Sequence, residues 1–489
     1  MKNTEKKPLS LTDLLLKKVA LGCILGYLLL AVLFPLLAGE QLYLKQSAGN
    51  MSMPTAQGGS VELSSDHWID QHFTTGIQRL ESISLQWGTY YRANTGTAVL
   101  KLYNMQTEEV ILSGSFDMSA IPEGGVTTLT AETPLEGLAG VPLMLQISSP
   151  DAQPGSAASP LVHTESVLPN TLLYFNGVPD AISGTLCFSV NGSDYIFFGL
   201  HYWIFAVLGL FLIAASLAIS QWKYAHSRNS YLITAILAIQ KYRFLIRQLV
   251  SRDFKTKYKR SVLGMFWSFL NPLLTMLVQY FIFSTLFKSD IPNYAAYLLT
   301  GIVCFNFFAE ACNMSLFSIL GNASLITKVY VPKYIYPVTR VMSSVVNLAI
   351  SLIPLVLVCL LTGVQFEKSA LLSFYFLACL IIFSLGMSML LSTAMVFFRD
   401  TQFLWSVFSM VWMYATALFY PETILPENYR FVLNINPVYH FIKSIRMCIL
   451  NGVSPEPTEY GLCLLVSLCM LLLGTWIFKK NQDKFVLYL

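Results

Sequence analysis

Arg252-Asp253-Phe254-Lys255-Thr256-Lys257-Tyr258-Lys259-Arg260 gathers five bases and one acid into nine residues, and the side chains turn apolar from Val262, with Phe266, Trp267 and Phe269 at the changeover. Basic groups held at an anionic lipid surface, rings at headgroup depth and an apolar run beyond them describe an entry into a bilayer. Arg252, Asp253, Lys255, Tyr258 and Lys259 are its candidate interface residues. Glu310, in Phe305-Asn306-Phe307-Phe308-Ala309-Glu310-Ala311, is the one acid deep inside a long apolar run. A charge there is costly, so it must face a cavity, meet a partner or be protonated, as a pathway residue or as a structural polar lock. Aromatic rings that could line a pathway gather at Phe305, Phe308, Trp412, Tyr414, Tyr420 and Tyr439, although an interfacial aromatic belt explains each ring singly. Lys443 and Arg446 could meet a lipid phosphate, with snorkelling at a helix end as the simpler account. Trp87, Tyr90, Tyr91 and Arg92 form a further candidate sugar-contacting set, although such rings more often fill a sandwich core.

Other chemistry is missing from the sequence. No Gly-x-x-x-x-Gly-Lys-Ser/Thr loop can cradle ATP phosphates, so ATP with its magnesium is expected on a separate chain and no cofactor on this one. The nine cysteines form no Cys-x-x-Cys or Cys/His cluster, which argues for buried small apolar side chains and no metal. Neither Asp-x-Asp nor paired intramembrane acids occur, which disfavours a membrane glycosyltransferase.

Only 12% of the 489 residues are charged and 55% are hydrophobic. A soluble protein carries about 25% charged residues, so most of this chain must face lipid. The net charge of +4 hides an asymmetry: residues 39–196 carry 15 acids and 4 bases, residues 222–261 carry 10 bases and one acid. The first block is expected outside the cell and the second inside.

These charges set the elements in order. Residues 1–18, with Lys2, Lys6, Lys7, Lys17 and Lys18, read as a cytoplasmic start. Residues 19–38 are 20 uncharged positions, about 30 Å of helix, which suits a retained anchor better than a signal peptide with its apolar region of about 7–15 residues. Residues 39–196 alternate in short β-favouring runs at 82–87, 97–103, 109–116, 141–148, 171–175 and 185–190, punctuated by Asn94-Thr95-Gly96, Pro122-Glu123-Gly124-Gly125 and Asn191-Gly192. Residues 197–220 return through the membrane. Within 221–262, Leu232, Ile236, Ile239, Tyr242, Ile246, Leu249 and Val250 recur at helical spacing and predict an amphipathic helix on the inner surface. Residues 263–489 hold six more spans, at about 263–287, 295–320, 338–361, 370–397, 404–420 and 462–478. Residues 421–452 are too short for two crossings, and 431–433 with 438–450 predict a re-entrant pair kinked at Asn436-Pro437. The expected fold is a polytopic α-helical membrane protein of about eight transmembrane helices plus that pair, with an extracellular all-β sandwich inserted between helices 1 and 2.

The basic Arg-Asp-x-Lys-x-x-Tyr-Lys segment, followed by Ser261-Val262-Leu263-Gly264, an aromatic pair and Asn271-Pro272, resembles the opening of permease subunits of polysaccharide-exporting ABC transporters. Those subunits carry O-antigen, capsule or wall teichoic acid chains on lipid carriers. The resemblance runs from about Arg252 to the C-terminus and includes Phe419-Tyr420-Pro421 and Asn436-Pro437; the anchor, β-domain and second span precede the usual start of such chains. It implies a transport subunit, not an enzyme, working in the cytoplasmic membrane as a homodimer with two copies of an ATPase subunit. Asn322, Leu325, Lys328, Tyr330, Pro332 and Lys333, with Phe398, Arg399 and Asp400, would then couple to the ATPase on the inner face, where both termini also lie. The implied partners are the ATPase, a second copy, membrane lipid and a lipid-linked glycan, with no nucleic acid. The run from Trp87 to Gly96 resembles jelly-roll carbohydrate-binding domains. A membrane-anchored carbohydrate sensor or scaffold and an exporter of small lipids or drugs are the alternative readings.

Overall fold

The computed structural model describes residues 11–47, 52–165, 168, 171–176, 178–179, 184–226, 231–259, 261–286, 291–328 and 331–488; Lys2, Lys6, Lys7, Arg260 and Tyr330, singled out above, lie outside them. The chain forms two compact units, Tyr43–Leu200 and the helical remainder.

The helical unit begins with α1 (Leu11–Ala38). The helix α2 (Phe197–Leu200) closes the other unit, and α3 (Tyr202–Ala225) returns to the helical one. At about 1.5 Å per residue both long helices exceed the hydrocarbon thickness of about 30 Å. They pair through tyrosine hydroxyls that satisfy backbone carbonyls: Tyr27 donates to Ala206 at 2.9 Å and Tyr202 to Ala31 at 2.7 Å. Phe34 meets the Tyr460 ring edge-on at 5.0 Å, and the Gln41 side chain accepts from the Ser454 amide, which joins this pair to the rest of the bundle.

The amphipathic pattern predicted over 232–250 extends as α4 (Tyr231–Tyr258), so the basic stretch from Arg252 to Tyr258 belongs to the same helix. After it come α5 (Phe266–Leu286), α6 (Tyr294–Leu316), the short α7 (Ala323–Lys328), α8 (Ile335–Leu361) and α9 (Ser373–Phe397). The chain ends with α10 (Thr401–Tyr414), α11 (Phe431–Ile435), α12 (Pro437–Leu450), α13 (Pro457–Asn481) and α14 (Phe485–Tyr488). Helices α9 and α13 pack backbone to backbone where small residues allow it: a Cβ on Gly474 would lie 2.0 Å from the Gly386 carbonyl oxygen, and Ser467 donates to the Cys379 carbonyl at 2.8 Å.

Seven helices among the described residues are long and apolar enough to cross a membrane, against the eight expected. The missing one is the run at 404–420. Its helix α10 has 14 residues, about 21 Å, and Ala417 then takes a left-handed φ of 49°. Asn436 accounts for the break, since its amide donates to the Ala415 carbonyl and to the Thr416 hydroxyl, both at 2.9 Å. The same side chain caps α12 by accepting from the Val438 amide at 3.0 Å, with Pro437 in the first turn, where its missing N–H costs nothing.

The second unit is built from antiparallel strands. In chain order these are β1 (Leu44–Ser47), β2 (Gly58–Gly59), β3 (Trp68–Thr74), β4 (Arg79–Gly88), β5 (Thr97–Asn104), β6 (Glu109–Asp117) and β7 (Val126–Glu136). They continue with β8 (Pro142–Ser148), β9 (Ser159–His163), β10 (Leu172–Phe175), β11 (Val178–Pro179), β12 (Thr185–Leu186) and β13 (Phe188–Tyr195). One sheet runs β1-β13-β4-β9-β12, with β7 also on β4 and β2 on β9; the other runs β11-β10-β3-β8-β5-β6. Inward positions alternate with outward ones, as Ala98, Leu100 and Leu102 do on β5 and Leu143, Leu145 and Ile147 on β8. These pack with Ile83, Leu85, Phe188 and Val190 of the first sheet in one core, where the Phe73 and Phe188 rings lie 5.2 Å apart. All nine cysteines are free, and Cys187, the one in this unit, is buried.

Candidate functional site

Asp253 sits on the polar arc of α4, yet its side chain is only 4% exposed because two guanidinium groups close over it. Arg340, near the start of α8, approaches to 2.8 Å, and Arg252 to 3.1 Å. Arg252 also donates to the Asn322 side-chain oxygen at 3.4 Å, and Asn322 donates back to the Ser318 carbonyl at 2.8 Å in the turn that leads into α7. One turn further along α4, Lys257 pairs with Glu310 of α6 at 2.7 Å, and Asn347 of α8 donates to the same carboxylate oxygen at 2.5 Å. The Asn347 oxygen in turn accepts from Tyr258 at 3.2 Å and from Ser268 of α5 at 3.3 Å. Two successive turns of α4 are thus fastened to α5, α6, α8 and the turn before α7. Arg252, Asp253, Lys257, Glu310, Met314 and Arg340 line a cleft of about 570 Å³ between these elements. Glu310 therefore lies toward one end of α6 with a cation beside it, so no bare charge stands at mid-membrane.

The remaining candidate coupling residues cluster on neighbouring elements. Leu325 packs with Ile326 against a small core that includes Tyr336, Phe478 and Phe485, while Lys328 is exposed. Lys333 donates to the Gln482 carbonyl at 2.6 Å, next to a half-buried Pro332. Phe398, Arg399 and Asp400 are all exposed between α9 and α10, and Phe398 is 71% exposed despite its ring. Lys255 and Lys259 project outward from α4 and the turn after it.

The aromatic candidates separate into interior and surface. Phe308 is fully buried, with Phe383, Trp405 and Trp412 around it at 5.9, 6.1 and 5.1 Å, and Phe305 and Tyr439 are buried as well. Burial removes these rings from any surface a polymer could touch: they pack the helix interior, and Trp412 donates to Asn436 at 2.7 Å. Arg446 is also corrected. Its guanidinium donates to the carbonyls of Ala417 (3.1 Å), Leu418 (2.9 Å) and Tyr297 (3.1 Å) and stacks 3.5 Å over the Tyr297 ring, so its donors are spent on the broken backbone after α10 and on α6. Lys443 pairs with Glu422 at 3.2 Å. Tyr414 stays exposed, and Tyr420 donates to its carbonyl at 2.7 Å.

In the β unit, Trp87 is fully buried and its indole donates to Thr127 at 2.7 Å, which makes it core rather than a sugar platform. Tyr90 and Tyr91 differ sharply from it: both adopt left-handed backbone, φ 56° and 53°, and Tyr91 is 91% exposed. Each such non-glycine residue costs about 1–3 kcal/mol unless its surroundings enforce it. Here Glu123 accepts from the Thr89 hydroxyl and amide, both at 2.7 Å, and from the Tyr91 amide at 3.3 Å. Those hydrogen bonds hold its carboxyl below the usual carboxylate range. Arg92 pairs with Glu62, donates to Asn94 at 3.1 Å and lies 5.0 Å over the Tyr90 ring.

Asn347 and Glu62, and the partners of Lys257 and Glu123, escaped the sequence reading, because nothing local marks which strand or span each one meets. Asp253, a single acid among ten bases and read above only as an interface residue, is the signal that could have pointed to the buried pair.

Residues 245–450 match the ABC-2 type transporter family. The chain is 31% identical over 243 residues to an O-antigen export system permease protein RfbA of Klebsiella pneumoniae, covering 49% of this chain and 93% of that one. It is 28% identical over 257 residues to the Myxococcus xanthus protein of the same name, covering 52% and 98%. To the polysialic acid transport protein KpsM of Escherichia coli it is 21% identical over 241 residues, covering 49% and 93%. These relatives are transport subunits, and the matched region begins inside α4 and ends with α12, so it contains every residue of the fastened cleft. The chain belongs to the ABC-2 type transporter family, as a multi-pass membrane permease with a β-sheet unit near its N-terminus.

Proposed function

We propose that this chain is the membrane subunit of an ABC exporter that moves a lipid-linked polysaccharide or teichoic-type polymer out of the cell. It works as a homodimer with two copies of a separate ATPase. The names of its relatives support an O-antigen or capsule-type cargo. The excess of bases over residues 222–261 and of acids over residues 39–196 supports a cytosolic α4 and an outward-facing β unit. A two-fold axis would let two copies enclose a polymer-sized path.

The observation that carries the mechanism is the double fastening of α4, through Asp253–Arg340 and Lys257–Glu310. A push on α7 by the ATPase reaches Asn322 and Arg252 first. It then reaches α8 through Asp253 and Arg340, and α6 through Lys257 and Glu310. The exposed 398–400 corner offers the ATPase a second point of contact. In proteoliposomes with the cognate ATPase, Arg340→Ala is expected to leave ATPase association intact and to lower polymer-dependent hydrolysis and export by roughly tenfold, the effect of about 1.4 kcal/mol of lost coupling. Arg340→Lys should recover part of that loss. Unchanged export in Arg340→Ala would sink the coupling route, and intact surface glycan after deletion of the gene would sink the exporter reading itself.

A further inference from the structure

We infer that the 89–94 loop of the β unit is a glycan-contact site, with the Tyr91 ring as its stacking surface and Glu123 as the residue that positions it. Folding alone gives no reason for this arrangement. Two consecutive tyrosines hold the left-handed backbone that glycine or asparagine adopts far more readily, and the ring that results is left almost wholly in water. Such a conformation persists only where its surroundings over-determine it. Here the restraints close on one another: Glu123 grips Thr89 and Tyr91, Asn94 donates to the Thr89 carbonyl at 3.1 Å, and the Arg92 amide donates to that same carbonyl at 3.2 Å. The Arg92 side chain reaches the Ala157 carbonyl at 3.2 Å as well as Glu62, whose carboxylate also accepts from the Ala157 amide at 2.9 Å.

The chemistry of the patch selects the ligand. Two rings are far too small for a stable protein interface, which buries about 800 Å² on each partner. A sugar residue, by contrast, offers one apolar C–H face ringed by hydroxyls. Tyr91 supplies the flat apolar surface, and Tyr90 under the Arg92 guanidinium supplies a stiff second wall. The exposed Glu123 and the Arg92–Glu62 pair supply acceptors and donors for hydroxyls. Carboxylates of this kind repel phosphate, so the site suits the saccharide part of a polymer and not its lipid-phosphate end. This assignment rests on the reading that the chain handles a glycan.

The test uses the full chain in detergent and, as probe, the delipidated surface polysaccharide of the cells that express it, with affinity read by calorimetry. Tyr91→Ala is expected to weaken binding by roughly fivefold or more, as truncation of a hot-spot ring does, and Tyr91→Phe to keep most of it. Tyr91→Gly should weaken binding equally and yet raise the unfolding temperature of the β unit by about 2–4 °C, because glycine adopts this φ without strain. Glu123→Gln should weaken binding with the ring still present. If the polysaccharide does not bind, or binds Tyr91→Ala as well as the unaltered chain, the assignment is overturned; if Tyr91→Gly lowers the unfolding temperature, the loop is not strained and the positioning argument is overturned. Export by Arg340→Ala and by the unaltered chain is read separately, so failure here is distinct from failure of the exporter reading.

Discussion

Arg446 meets three backbone carbonyls and one ring, and each of its contacts lies on an element other than its own. The carbonyls of Ala417 and Leu418 face it because the chain is not helical there, and in a low-dielectric surrounding an unsatisfied backbone group costs about 1–3 kcal/mol. Arg446→Leu is therefore expected to destabilise the helical unit by about 3 kcal/mol or more, read as a lowered midpoint in detergent unfolding. Arg446→Lys should recover only part, since one compact ammonium lacks the two-armed reach by which the guanidinium meets three carbonyls and a ring. An unchanged midpoint in Arg446→Leu would show that these carbonyls find other donors. The sequence presented Arg446 as one more base near a helix end, with nothing to distinguish it from Lys443. What separates them is the break at residues 415–420, which is set by Asn436 from 20 residues away. Glu310 was more legible, because an acid inside an apolar run demands an explanation wherever it folds.

At the scale of elements, runs with a clear period were readable and runs whose pattern was interrupted by a buried polar group were not. The strands predicted at 97–103, 109–116 and 141–148 coincide with β5, β6 and β8 to a residue or two, since their inward positions carry no polar side chain. Strand β3 was missed because Gln71 occupies an inward position between Ile69 and Phe73. It is fully buried, and it is satisfied by accepting from the Leu186 amide and donating to the Leu172 carbonyl, both at 3.0 Å. The over-long seventh span was misread for the opposite reason: residues 404–420 stay apolar past the end of α10, and composition alone does not reveal where a helix stops. The α9–α13 contact was invisible for a third reason, since glycines 386 and 474 lie 88 positions apart in the sequence. Gly474→Leu must drive side-chain atoms into the Gly386 carbonyl and is expected to cost about 3 kcal/mol by overpacking, seen as lost folded yield in detergent; Gly461→Leu, where a Cβ meets nothing within 4 Å, is the control.

For the molecule as a whole, charge and span length pointed to a polytopic helical membrane protein with a β-rich region near its N-terminus, and the chain has seven candidate spans among its described residues beside a β-sheet unit at Tyr43–Leu200. The proposed orientation makes a direct prediction. A membrane-impermeant thiol reagent applied to intact cells should modify Tyr91→Cys and leave Lys328→Cys untouched until the membrane is permeabilised; the reverse pattern would invert the topology and remove the ATPase from reach of α7. Seven of the native cysteines are buried and the other two, Cys23 and Cys469, lie on membrane helices, so the background is small. The β unit adds one more property through its lone Cys187, whose thiol is pushed up to about 11 by burial. Near pH 7 roughly one molecule in ten thousand then carries the reactive sulfur anion. With a single cysteine between Tyr43 and Leu200 this unit can form no internal disulfide, so a change in the thiol poise of its compartment has no cross-link within it to make or break.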